Sequence, residues 1–292
     1  MKYLFETIEL IRKYGLWPGL PDFEILKVIL LGIVEGITEW FPISSTGHML
    51  LVDEFITLNM SEAFKQMFFV VIQLGAILAV VVVFWEKVFP IELKKPTNIK
   101  KEVIGLWLKV IVACIPTAIL GFLFDDFLEQ YFGDAFTIAI MLIIYGIAFI
   151  VVETWNKKRT PLVDTIAGIN YKTAILFGLF QSLAMIPGTS RSGATILGGL
   201  LFGVSRIAAA EFSFFLAIPT MLGASVYKLA KFGFIFSAEE LIALFVGMGI
   251  AFAVSLLAIR FLMNYIKKHD FKVFGWYRIA LGILALVFFA LK

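Results

Sequence analysis

The sequence predicts an all-α integral membrane protein built as an inverted-topology repeat, with six transmembrane helices and two re-entrant helix hairpins that meet at the membrane midplane. Three observations carry this expectation. Apolar residues make up 61% of 292 positions and charged residues only 16%, a balance outside that of soluble domains. Six runs are uncharged or nearly so and long enough to cross about 30 Å of hydrocarbon, which takes roughly 20 residues. Two polar stretches, Glu35 to His48 and Pro187 to Thr195, interrupt the apolar pieces that remain. The chain therefore reads as one polytopic domain over 1–292, with 25–152 and 171–292 as its two halves.

Residues 1–22 stand apart. Leu4, Ile8 and Ile11 share one helical face, and Gly15, Pro18 and Pro21 end the segment, which suggests a helix lying in the membrane interface. The short apolar core and small-residue cleavage site of a signal peptide are not found there. From Ile25 the chain is apolar to Val34 apart from Lys27, turns polar at Glu35, and resumes from Met49 to Val52 before Asp53 and Glu54. These pieces are too short to cross. Broken by Pro42, Ser44, Ser45 and Gly47, they read as helix, break and helix, which hydrocarbon tolerates only where protein or water surrounds the break. Full spans follow at Gln66 to Trp85, Val103 to Phe124 and Ala135 to Val152. The second half repeats the order: a run from Thr173 broken at Pro187-Gly188, then spans at Phe212 to Tyr227, Leu241 to Ile259 and Val273 to Leu291. Arg278, a turn or so inside the last span, is expected to snorkel to the interface.

Shifting the sequence by 146 places Gly32 on Gly178, Glu35 on Gln181, Ser44 on Ser190, Thr46 on Ser192 and Gly47 on Gly193, while Pro42 and Pro187 miss by one. Polar and glycine matches inside the two broken stretches point to a duplicated ancestor. One hairpin plus three spans per half turns the second half upside down. The connections Lys87 to Lys101, Lys157 to Lys172 and Lys267 to Lys272 are basic, whereas the one holding Asp125, Asp126, Glu129 and Asp134 has no basic residue. Positive-inside bias then puts the basic loops in the cytoplasm and both termini outside. Lys228 and Lys231, on the outer side, run against that bias. In such a repeat the broken helices bring their ends together around a central ligand site.

Ionisable groups at membrane depth mark a functional site by default. Glu35 and Glu39, four residues apart on a helix, stand on one face about 6 Å apart along the axis. Two such acids can share a hard divalent ion that also binds a substrate phosphate, or they can satisfy buried donors and Arg191. Ser44, Ser45 and Thr46 suit helix caps and phosphate contacts. His48 follows Ser45 by three residues, within reach of its hydroxyl or of a bound phosphate. Arg191, flanked by Ser190 and Ser192 and followed by Thr195, can grip phosphate oxygens beside the N-terminus of the next half-helix, or pair with an acid of the first stretch. One stretch offers attacking and proton-moving groups and the other a cation and hydroxyls, the division of labour that phosphoryl transfer needs.

Other classes fall away. A net charge of +3 with dispersed basic residues gives no nucleic-acid surface. Cys114, the single cysteine, can form no internal disulfide. A polyprenyl-phosphate carrier with the same central site is the rival reading, since inverted repeats also build transporters. A homo-oligomer is compatible with the sequence.

The stretches Glu35 to His48, with E-x-x-x-E running into P-x-S-S-T-G-H, and Pro187 to Thr195, P-G-x-S-R-S-G-A-T, resemble the undecaprenyl-diphosphate phosphatases, or bacitracin-resistance proteins. The likeness continues through Phe69 to Gly75 and Glu211 to Phe214, and runs from about Ile25 to the C-terminus. It implies hydrolysis of a lipid diphosphate to the monophosphate in the bacterial plasma membrane, recycling the carrier of cell-wall precursors, with a divalent cation such as Mg2+ or Ca2+. It further implies Glu35 and Glu39 as the acidic motif and metal ligands, Ser45 as nucleophile or phosphate ligand, His48 as the essential histidine and Arg191 as the phosphate clamp. Ser44, Thr46, Ser190, Ser192 and Thr195 are the expected phosphate-binding hydroxyls.

Overall fold

The computed structural model describes residues 22–92 and 95–291. The interfacial helix expected over 1–22 lies outside the described residues, apart from Asp22. In chain order the helices are α1 (Asp22–Thr38), α2 (Ser45–Phe55), α3 (Glu62–Val71), α4 (Gln73–Val83) and α5 (Trp85–Val88). After the short antiparallel pair β1 (Ile91–Glu92) and β2 (Lys95–Ile99) come α6 (Lys101–Phe132) and α7 (Ala135–Asn156). The second half holds α8 (Tyr171–Leu183), α9 (Arg191–Leu201), α10 (Arg206–Phe232), α11 (Ala238–Ile266) and α12 (Lys272–Leu291).

Among the described residues, six helical stretches are long and apolar enough to cross a membrane: Glu62–Val83, Lys101–Phe124, Ala135–Asn156, Arg206–Phe232, Ala238–Ile266 and Lys272–Leu291. They are the six expected spans, each somewhat longer than its uncharged run because polar caps extend the helix past the apolar part. Asp134 accepts from the Thr137 N–H at 2.9 Å to start α7, and Ser237 and Glu240 form a reciprocal capping box at the start of α11. The first span is split at Ile72 into α3 and α4.

The short helices α1, α2, α8 and α9 fill the space between the spans. The first lies along α11, a helix of the other half, and α8 lies along α6, again across the halves. Glycine permits these approaches. A Cβ on Gly32 would come within 2.9 Å of the Gly247 carbonyl oxygen, and one on Gly178 would collide with the Ala113 carbonyl. The most extensive helix contact, α7 against α12, is also a glycine seam, since a Cβ on either Gly146 or Gly275 would lie 2.7 Å from the other's carbonyl oxygen. Lipid tails are as apolar as leucine, so helices in a bilayer gain little from burying apolar surface against each other. Close backbone packing through small residues supplies the attraction instead.

Arg278 corrects an expectation. Its side chain is 0% exposed and points into the protein, where the guanidinium donates to backbone carbonyls. It does not snorkel, because its position on α12 faces the two broken stretches, whose unpaired carbonyls need donors that lipid cannot supply.

Candidate active site

Both breaks are built in the same way. After Thr38 the first chain leaves the helix, and the N–H of Glu39 still reaches the Glu35 carbonyl at 3.0 Å. Trp40 is fully buried and meets Phe214 edge-on at 5.1 Å, which anchors the turn in the core. Ser44 then adopts φ 75° and caps α2 by accepting from the Gly47 N–H at 3.2 Å. In the second break Ser190 adopts φ 72° and caps α9 by accepting from the Gly193 N–H at 3.1 Å. Only these two described residues other than glycine have positive φ. Each conformation costs on the order of 1–3 kcal/mol, and the caps help to hold it.

The first break carries the reactive groups. Ser45 Oγ donates to Glu39 Oε2 at 2.7 Å, within the buried interior. Glu35 is 0% exposed, and neither of its carboxyl oxygens has a hydrogen-bond partner among the described residues. It interacts electrostatically with both Glu39 and Arg191. His48 lies farther along α2, with Nδ1 2.7 Å from the Ser44 carbonyl oxygen and Nε2 2.7 Å from the Tyr277 hydroxyl. The expectation that His48 addresses Ser45 is thus not met in this geometry; the serine's partner is Glu39. Three residues of helix separate the two side chains by nearly a full turn, but the imidazole is drawn to the capping residue's carbonyl and to α12. Thr46 is exposed in the first turn of α2.

Arg191 brings the second break to the first. It donates from Nη2 and Nε to Glu39 Oε1 at 2.9 and 3.3 Å, and from Nη1 to the Ser213 carbonyl at 2.7 Å. Both members of the Glu39–Arg191 pair are nearly buried, with side chains 6% and 11% exposed. Ser192 Oγ donates to the Glu39 carbonyl at 3.0 Å, joining the breaks through backbone as well. Ser190 shares a hydrogen bond with Ser192, and Thr195 donates to the Arg191 carbonyl and shares a 2.7 Å hydrogen bond with Ser213.

Arg278 lies beneath both breaks. Its Nη1 donates to Pro42 O at 3.1 Å, and its Nη2 to Gly188 O and Thr189 O at 2.9 Å each. Weaker bonds at 3.4 Å reach Met141 and Leu142. One side chain therefore fastens Pro42 of the first break to Gly188 and Thr189 of the second.

The expected residues sort accordingly. Glu39, Ser45, Arg191 and Ser192 form one hydrogen-bonded unit, with Glu35 beside it. Ser44 and Ser190 act as caps and Thr195 as a support for Arg191. Three residues of the site went unassigned in the sequence: Ser213, Tyr277 and Arg278. An arginine within an apolar span is itself the signal that could have found Arg278 and, beside it, Tyr277.

The family model described as "Bacitracin resistance protein BacA" matches residues 28–284. The chain belongs to that family. An "Undecaprenyl-diphosphatase" from Enterococcus faecalis is 68% identical over 275 residues, covering 94% of this chain and 100% of that protein. Proteins of the same name from Desulfitobacterium hafniense and Acetivibrio thermocellus are 60% and 57% identical, covering 92% and 91% of this chain and 97% and 98% of their own. The matched region includes both breaks and Arg278, so every site residue described here lies within the family's shared span.

Among the described residues no group of three or more His, Cys, Asp and Glu is placed to hold a metal ion. A divalent ion that keeps waters and binds substrate phosphate needs only one or two carboxylates, however. The two unpartnered, fully buried oxygens of Glu35, next to Glu39, are donors of that kind.

Proposed function

We propose that this protein is an integral membrane phosphatase that hydrolyses undecaprenyl diphosphate to the monophosphate and inorganic phosphate. The lipid carrier of cell-wall synthesis is thereby recycled, and the cell gains resistance to bacitracin. One observation carries the reading: a buried hydroxyl, carboxylate and guanidinium form a single chain, Ser45 to Glu39 at 2.7 Å and Glu39 to Arg191 at 2.9 Å. Two charges and a hydroxyl so placed suit phosphoryl transfer, in which positioning and neutralisation of the transferred group supply most of the catalysis.

In the proposed mechanism Ser45 Oγ attacks the terminal phosphorus as Glu39 takes its proton. The new Oγ–P bond forms, and the bond from phosphorus to the bridging oxygen breaks, releasing the prenyl monophosphate. Water then attacks the phosphoserine, Ser45 recovers its hydroxyl and inorganic phosphate leaves. Arg191 exchanges Glu39 for the equatorial phosphate oxygens, as its planar fork allows. The N–H groups opening α2 and α9 add partial positive charge. Glu35 and Glu39 would hold an Mg2+ or Ca2+ ion, which would neutralise phosphate charge when bound.

Support for an inverted repeat comes from the matched caps at Ser44 and Ser190, and from the exchange of partners whereby α1 lies on α11 and α8 on α6. On this reading the halves are 25–152 and 171–292, the two broken segments are re-entrant hairpins with tips near the midplane, and the basic loops face the cytoplasm of a bacterial plasma membrane with both termini outside. A pure carrier would leave the Ser45–Glu39 hydrogen bond without a use.

The test is phosphate release from a prenyl diphosphate by the purified protein in detergent, with magnesium or with chelator. Release by wild type, lost by about 10³-fold in Arg191→Ala, is the expected result. Folded wild type that releases none with any divalent cation would overturn the reading. A phosphorylated protein trapped in wild type and absent in Ser45→Ala would establish the nucleophile, whereas phosphate trapped on His48 would reject it.

A further inference from the structure

The hydrogen bonds of His48 leave a residue of the last span without an assigned purpose. Nδ1 of His48 lies 2.7 Å from the Ser44 carbonyl oxygen, and a carbonyl can only accept. Nδ1 therefore carries the hydrogen, and in the neutral ring Nε2 is left as an acceptor. The group opposite Nε2 is the Tyr277 hydroxyl, also at 2.7 Å, with the two rings within 2° of parallel. Tyr277 precedes Arg278, so α12 presents adjacent side chains to the site: one binds the backbone of both breaks, the other the histidine of the first. Tyr277 is 45% exposed, on the outer side of the imidazole from Ser44.

We propose that Tyr277 is a positioning residue for His48. With the Nδ1–H form set by the Ser44 carbonyl, Tyr277 holds the ring from its other side by donating to Nε2, and makes its own hydroxyl the route by which protons reach the imidazole. A proton given to the phenolic oxygen by water or by a phosphate hydroxyl displaces the phenolic hydrogen onto Nε2; the tyrosine is unchanged and the imidazole becomes imidazolium. His48 thus exchanges protons with the exposed side of the site, while Glu39 serves Ser45. The catalytic consequence rests on the phosphatase reading, but the tautomer does not.

Two histidines, His48 and His269, are present in the chain, so 15N-histidine-labelled protein in detergent, with His269→Gln for assignment, isolates the signal of His48. Wild type is expected to show the Nδ1–H form. Tyr277→Phe, which removes only the hydroxyl, is expected to keep the Nδ1–H form, to shift the Nε2 resonance as its hydrogen bond is lost, and to lower kcat for phosphate release from a short prenyl diphosphate by about tenfold, with KM changed less than about twofold. A wild-type Nε2–H form would overturn the proposal even if the variant failed to fold. So would a well-folded Tyr277→Phe with an unchanged Nε2 resonance or unchanged kcat. Wild type that releases no phosphate would defeat the phosphatase reading separately, while the spectrum of the same sample would still decide the His48–Tyr277 pair.

Discussion

The two breaks share a backbone and differ in chemistry. Ser44 and Ser190 have nearly the same positive φ and cap their helices through the same N–H, three residues on. Yet the first break reaches a histidine, His48, three residues after Ser45, where Arg191 is followed only by small and hydroxyl residues to Thr195, and the buried acid Glu35 corresponds in sequence to Gln181. Gln181 is equally buried but neutral, and its amide donates to Thr117 and Thr220 at 3.2 and 3.1 Å. Uncharged hydroxyls take up its NH2 group and leave only Oε1 unpartnered, whereas both oxygens of Glu35 are unpartnered among the described residues. Matching backbone at the two breaks thus sets where groups meet, and their different side chains make one end acidic and the other cationic. Opposite charges on opposing breaks stabilise each other in an interior where either alone would be costly.

The strongest way to break this comparison is to treat the two serine-rich breaks as equals. Ser45→Ala should lower phosphate release by more than about 10³-fold, while Ser190→Ala should chiefly cost a cap worth about 1 kcal/mol. Parallel kinetics and thermal melts would check this, and equal losses of activity would mean that both breaks carry chemistry. Next in size, Glu35→Gln makes the acidic position resemble its partner. Release should fall by about 10²-fold and cease to respond to added magnesium or chelator. A variant as metal-sensitive as wild type would remove Glu35 from the cation site.

Arg278→Met should weaken both breaks together. It deprives the carbonyls of Pro42, Gly188 and Thr189 of their donor, at about 1–3 kcal/mol for each one left unsatisfied, and should lower the melting temperature as well as activity. The smallest effect lies far from this comparison. Asp134→Ala removes the cap of α7, for about 1 kcal/mol, with activity intact. The Thr137 hydroxyl and N–H hold the Asp134 carboxyl below the ordinary range. Its folded state therefore favours the ionised form, so the capping advantage is complete above the unfolded value near pH 4 and fades as pH falls through the lower folded value. Melting curves of the two proteins should converge in acid.

Spans and breaks were legible because length and polarity decide them: lipid admits neither short helices nor unpaired backbone unless protein surrounds them. The meeting of Glu39 with Arg191 was legible for the same reason, as buried opposite charges seek each other. The direction of Arg278 was not. A cation a turn inside a span can lie toward lipid or toward protein, and only the packing of α7 on α12 through Gly146 and Gly275 turns it inward. The partner of Ser45 was misjudged because spacing along α2 made His48 the nearest base in sequence. Glu39, six residues back across the turn, is the nearest in space. Tyr277 gave no signal of its own in a span rich in aromatic residues.

Arg278 also bears on what the molecule can do as a machine. Alternating access requires that barriers on the two sides of a site open in turn, which here would mean drawing the two broken segments apart. Here both are tethered to one guanidinium that has no carboxylate partner among the described residues. Parting them would leave that buried cation without its acceptors. The fold is therefore organised as a vice that holds the two breaks closed around the Ser45–Glu39–Arg191 unit.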